Sequence, residues 1–394
     1  MARFCGPDDP VLLDNVTRAQ IKAFMANFKR LYTPIHSNVA LCICVFGIIT
    51  NIIHILVLTR RSMRNNSVSC LLTGVAVCDL GVMLSYLCYL VYFVVSPSNQ
   101  CSIGLSYGWV VFAIIHVIIS IYLHSTSLWL VILLGFMRVM ALRSPGFTSS
   151  WHSAQRALKH SVVVAVLVFA LSLLNLPLQE IDQMYYSKDK CTGNAADSNQ
   201  TVVYYFVRLS DKARENGCRL LKLDLFVVGM VFKLIPCIFL LLTSVLLLSK
   251  VRRKSVAKRS VVEPPNFNGP VRRTSRFITI VVMDRTSLAL VAILLVFLVT
   301  EVPQGVLATA SAIYTQDVYF YLYGGIADLL DLLALLNSSV NFLLYCLMSS
   351  NYRGVFWQLI RPQACRSTIF NLLYHTEVGW LAQEILSKYG GEIF

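Results

Sequence analysis

Seven stretches of this chain are apolar for long enough to cross a bilayer, and that leaves few architectures open. A spanning helix needs about 20 predominantly apolar residues, and residues 38–59, 68–95, 106–142, 157–181, 223–249, 287–314 and 319–348 meet that length. With 56% hydrophobic and 14% charged residues, a water-soluble domain of this size would be difficult to keep in solution. The expected fold class is therefore an all-α membrane protein, a seven-transmembrane helix bundle followed by a short cytoplasmic interfacial helix. The expected organisation is an outer segment over residues 1–37, the bundle over 38–348, and a helix and tail over 349–394. No internal repeat or Gly/Ser linker divides the chain further, and the first 37 residues lack a signal-peptide pattern, so the first span is expected to direct insertion.

The charge distribution gives an orientation. The formal charge of +14 could point to a nucleic-acid partner if it were spread over a folded surface. Instead Lys250, Arg252, Arg253, Lys254, Lys258, Arg259, Arg272, Arg273, Arg276 and Arg285 cluster between the fifth and sixth spans, opposed only by Glu263 and Asp284. Arg60, Arg61 and Arg64, then Arg138, Arg143, Arg156 and Lys159, then Arg353, Arg361 and Arg366 lie on the same side. The positive-inside rule makes that side cytoplasmic and puts the N-terminus outside, as in a multi-pass plasma-membrane protein. The acceptor sequons at Asn15 and Asn199 both fall outside on this reading. Pro264, Pro265 and Pro270 interrupt helix in the third inner loop, where the basic residues before Ser255, Thr274 and Ser275 would suit a basophilic kinase. Of the 12 cysteines, Cys5, Cys101, Cys191 and Cys218 fall on the oxidising side, while most of the others sit inside apolar runs as packing residues.

Polar residues at membrane depth are expensive and mark function. Asn51, Asp79, Glu301, Gln304, Asp328, Asp331, Asn337 and Asn341 are of this kind. Asp79 has no basic partner in its own segment, so it must be satisfied by other spans, by protonation, or by a bound cation with water. Ser127, Asn337 and Asn341 lie at the depth needed to complete an oxygen-lined sodium pocket with it, which makes an allosteric sodium ion the one cofactor to consider. Pro177, Pro236 and Pro303 each free a backbone carbonyl and kink a span, and Pro303 sits just beyond Glu301. Trp109, His116, Tyr122 and His124 mark the third span as buried among its neighbours rather than facing lipid.

From Asn38 to Ile360 the landmarks resemble those of rhodopsin-like G-protein-coupled receptors. They stand in order: Asn51, Val77-Cys78-Asp79-Leu80, Trp129, Arg138, Pro236, Phe297 with Pro303, and Asn341-Phe342-Leu343-Leu344-Tyr345. More narrowly, the run from Leu295 through Glu301-Val302-Pro303-Gln304-Gly305, the run from Asp328 to Phe342, His124, and Lys233-Leu234-Ile235-Pro236-Cys237 are similar to invertebrate myosuppressin and FMRFamide-related peptide receptors, with sex-peptide receptors as cousins. There are departures. Met137 and Val139 flank Arg138 where an acid and a tyrosine are usual, and removing that acid would raise basal activity. Phe342 replaces the usual proline, and Glu301 the usual tryptophan. The resemblance implies a disulfide to the second outer loop, with Cys101–Cys191 the first choice and Cys191–Cys218 the second.

It also implies a ligand whose arginine and amidated aromatic end enter an anionic, aromatic pocket. The residues expected to serve it are Glu301 and Asp331 first, then Gln304, Asp328, Tyr323, Tyr86, Tyr89 and His116; the tyrosines could equally form an interfacial belt. Arg138 and Tyr345 would meet a heterotrimeric G protein. The amphipathic run from Tyr352 to Ile360 would lie on the membrane, with Cys365 a palmitoylation candidate. A small-molecule chemoreceptor of the same fold is the alternative, and a transporter a more distant one. No enzyme is expected: there is no spaced His and carboxylate set for a metal, and no Gly-x-Ser-x-Gly nucleophile elbow.

Overall fold

The structure, a computed structural model, describes residues 4–7, 9–95, 106–143, 153–187, 201–260 and 285–360. Seven helices in it are long and apolar enough to cross a membrane: α1 (Asn15–Leu58), α2 (Ser67–Phe93), α3 (Tyr107–Met140), α4 (Ala154–Leu178), α5 (Asp211–Leu246), α6 (Val296–Ile313) and α7 (Thr315–Leu343). Helical backbone continues beyond several of these bounds, starting at Arg285 for α6 and ending at Met348 for α7. The chain divides into two compact units, residues 1–348 and 349–394. In the second, α8 (Ser350–Ile360) starts where the Ser349 hydroxyl accepts a hydrogen bond from the Tyr352 N–H at 3.1 Å.

Large apolar side chains stay exposed along the outside of the first unit, among them Val162, Val163, Val166 and Leu167 on α4 and Ile238, Leu242 and Val245 on α5. In water they would form an aggregating patch; against lipid tails they are simply solvated. The interior is polar at intervals instead, with Asn51, Asp79, His124, Ser127, Glu301, Asn337 and Asn341 all buried.

Three local features depart from the sequence expectation. First, α1 does not begin near Asn38. It is a single 44-residue helix, about 66 Å at 1.5 Å per residue, and the Asp14 carboxylate caps it by accepting from the Val16 and Thr17 N–H groups. Lys22, Lys29 and Arg30 dilute the hydropathy of its outer half without interrupting helix. Second, α4 does not run to Ile181. It tightens into a 3-10 segment (Leu173–Leu178) around Pro177 and gives way to β1 (Gln179–Ser187), which pairs antiparallel with β2 (Thr201–Leu209), Gln179 opposite Leu209 and Ser187 opposite Thr201. The β-branched and aromatic run Thr201-Val202-Val203-Tyr204-Tyr205-Phe206-Val207 fits such a hairpin. Third, α5 starts at Asp211 and breaks within its first turns. Asn216, Gly217 and Cys218 take left-handed backbone angles (φ 52°, 68° and 61°), a conformation that glycine and asparagine tolerate best.

That break aims Cys218 at the N-terminal segment, where it forms a disulfide with Cys5. Cys218 is therefore not the partner of Cys191, and Cys101, Cys191, Asn199 and Cys365 lie outside the described residues. Around the disulfide the strap of residues 4–14 is tied down by charge. Lys222 of α5 donates to Asp9 at 2.7 Å, and the Gln316 N–H donates to the same carboxylate at 3.2 Å. Asp317, at the start of α7 and buried, accepts from the Leu12 and Leu13 N–H groups at 2.8 and 2.9 Å and pairs with Arg18 at 2.7 Å. Asn15, the first residue of α1, accepts from Arg18 at 3.2 Å.

Candidate functional site

The expected site residues fall into three groups stacked along the bundle. Nearest the N-terminal end, α1, α2, α3 and α7 enclose an aromatic and anionic region. Tyr89 stacks on His116 with ring centroids 5.0 Å apart, Tyr86 lies 5.8 Å from the same imidazole, and the Tyr86 hydroxyl is 2.8 Å from His36 Nε2. Tyr92 stacks on Trp109 at 3.6 Å. Asp328 accepts from the Thr33 hydroxyl at 3.1 Å.

Asp331 differs from every other acid of the interior. It lies within electrostatic reach of Asp328, Tyr86, Tyr89 and Tyr323, and it is exposed. Among the described residues, no hydrogen bond or ion pair reaches its carboxylate.

Glu301 lies deeper and is in the opposite state. Wholly buried on α6, it is saturated from three neighbouring helices: Lys233 of α5 donates to Oε2 at 2.8 Å, Asn337 of α7 donates to Oε1 at 3.0 Å, and His124 Nε2 of α3 lies 3.1 and 3.2 Å from the two oxygens. The second expected acid is thus already neutralised inside the protein. Gln304, also buried, accepts from Lys233 at 2.9 Å and donates to the Thr300 carbonyl at 2.7 Å. Neither is open to a ligand in this structure.

Deeper again, Ser127 donates to Asp79 Oδ1 at 3.0 Å and Asn341 to Oδ2 at 2.7 Å. Asn51 ties α1 to α7 by donating to the Ser338 carbonyl at 3.1 Å. Asn337, expected in this group, turns its amide to Glu301 instead. Among the described residues, the side-chain oxygens of Asn51 and Asn337 are buried with no hydrogen-bond partner, and such acceptors are what a cation or ordered water would satisfy. Toward the far end of the bundle, Arg138 is half-buried and within electrostatic reach of Tyr345, which packs 5.4 Å from His54.

The family model described as "Serpentine type 7TM GPCR chemoreceptor Srw" matches residues 38–363. This chain belongs to that family. Among curated proteins it is similar to "G-protein coupled receptor dmsr-1" of Caenorhabditis elegans, 33% identical over 365 residues that cover 85% of this chain and 70% of the relative. It is also similar to the "Sex peptide receptor" of Drosophila melanogaster, 22% identical over 339 residues, 83% and 72% of the two chains. Both relatives are named as receptors.

The residues that sequence reasoning left without a role are Lys233, which neutralises Glu301, and the strap contacts Asp9, Arg18, Lys222 and Asp317. Lys233 carried a readable signal, a lone cation inside the apolar run from Val227 to Leu234.

Proposed function

We propose that this chain is a plasma-membrane receptor, N-terminus outside and C-terminus inside, that binds an extracellular peptide and passes the change to a heterotrimeric G protein as α6 opens. The observation that carries the ligand half of this reading is Asp331, an exposed carboxylate with no hydrogen bond or ion pair among the described residues, within electrostatic reach of Tyr86, Tyr89 and Tyr323, the first two of which pack on His116. Such a site favours a cation flanked by aromatic groups. Together with the resemblance to FMRFamide-related and myosuppressin receptors, and with a relative named for a peptide, this points to an amidated peptide whose terminal arginine pairs with Asp331 beside Asp328. Glu301 serves the transmission of the signal rather than the ligand's charge.

The test is G-protein activation in cells expressing the chain, challenged with amidated Arg-Phe-type peptides, the same peptides lacking the terminal arginine or amide, and unrelated neuropeptides. Asp331→Asn should lower potency by about 10- to 100-fold, the loss of one charge-assisted contact of roughly 1.5–3 kcal/mol. Equal potency in the variant at equal surface density would remove Asp331 from the ligand site. The family description favours a second reading, a small-molecule chemoreceptor; silence towards every peptide with a response to small cationic compounds would select it.

We further infer that Asp79, Ser127 and Asn341 hold a sodium ion, with the orphaned oxygens of Asn51 and Asn337 as support. Replacing sodium by choline in the medium should then raise agonist potency in the native chain and leave it unchanged in Asp79→Asn. An equal response in both chains would reject the ion.

A further inference from the structure

Lys233 grips α6 on both sides of its proline. One ammonium donates to Glu301 Oε2 at 2.8 Å and to Gln304 Oε1 at 2.9 Å, and these two acceptors flank Pro303. Pro303 has no N–H, so the Val299 carbonyl one turn earlier loses its helical partner and the rod is weakest there. A clamp across that point fixes the kink angle in a way that a contact on one side alone would not.

The backbone is arranged to deliver the lysine. Residues Val227–Leu234 of α5 form π-helical turns that end just before Pro236, and a π turn rotates the residues beyond it relative to a regular helix. Two glycines let the helices approach. A Cβ added at Gly305 would stand 2.9 Å from Leu234 Cγ and 3.0 Å from Lys233 Cβ; one added at Gly229 would collide with the Thr309 hydroxyl and stand 2.9 Å from the Gly305 carbonyl. The lysine side chain is 12% exposed and Glu301 is fully buried, so water competes little for the pair.

We propose that Lys233 is the positioning residue of α6: it holds the kink in the described state, and signalling requires this clamp to let go. The link to signalling rests on the receptor reading above, whereas the clamp itself does not. The first measurement is therefore independent of any G protein or ligand: hydrogen–deuterium exchange of the purified full chain, read on peptides covering residues 296–313. Lys233→Met should exchange about tenfold faster on both sides of Pro303, and the swap Lys233→Glu with Glu301→Lys should return towards the native rate. Gly305→Ala, which leaves every charge in place but pushes α5 from α6, should accelerate the same peptides and serves where Lys233→Met fails to fold.

Unchanged exchange in Lys233→Met, or in Gly305→Ala where only that chain can be purified, overturns the clamp. Basal G-protein activation per surface receptor is the second measurement. A several-fold rise in the same variants completes the proposal. Faster exchange with unchanged basal signal overturns the claim that release of the clamp is what signals, and leaves peptide recognition at Asp331 a separate question.

Discussion

Glu301→Ala is expected to lower the stability of the purified receptor by about 3–5 kcal/mol, the usual consequence of leaving a buried cation without its anion. Three donors lose their acceptor at once, Lys233 from α5, His124 from α3 and Asn337 from α7. None can turn to bulk water without opening the bundle, because Glu301 is fully buried and the Lys233 and His124 side chains are 12% and 9% exposed. Removing both charges is a different experiment. In Lys233→Met with Glu301→Met the unpaired charge is gone, and well-packed apolar replacements of buried pairs are often neutral or stabilising. Thermal unfolding in detergent would show the single variant well below the native chain and the double variant close to it. Equal losses would mean that volume and packing, rather than charge, account for the effect.

The second large effect is expected at the N-terminal strap. Cys5→Ser or Cys218→Ser should cost about 2–5 kcal/mol and reduce the amount of receptor at the cell surface, because the bond joins residues 213 apart in sequence. The lower end is the better expectation, since the spanning helices keep the reduced chain partly ordered in lipid. Ion pairs at Lys222–Asp9 and Arg18–Asp317 hold the strap as well, so the loss should be partial. Unfolding with and without a reductant tests it: reductant should bring the native chain down to the level of Cys5→Ser and leave that variant unmoved. A reductant that lowers both chains equally would place the sensitivity at other cysteines.

The spans were legible because hydrophobic length is a property of composition alone, and a stretch such as 223–249 needs no partner to be recognised. Depth along a span was legible too: Ser127 and Asn341 do meet Asp79, as their positions require. Rotation about the helix axis was less so. Asn337 stands one turn from Asn341 on the same helix, yet its amide reaches Glu301, because neighbouring helices rather than sequence spacing decide what each face meets. The same gap explains Glu301. Its depth marked it as functional, but only packing could show that Lys233 already satisfies it. The hairpin of β1 and β2 was missed because the fourth span was carried past Gln179 and Glu180 to Ile181, although Pro177 stands where the helix tightens and ends. The partner of Cys218 could not be read at all: cysteine spacing carries no connectivity, and the left-handed turn at Asn216-Gly217-Cys218 that aims it at Cys5 is a tertiary feature.

Because Cys5 and Cys218 are bonded, the chain between them is a closed covalent ring that contains the first four membrane helices and the hairpin. A protease that cuts once between β1 and β2 therefore opens the ring without releasing a fragment. The two pieces stay on one molecule, migrate together on a non-reducing gel, and separate only when the sulfur bridge is reduced. Receptor nicked there would thus keep its N-terminal helices attached to the half that carries Glu301 and Asp331.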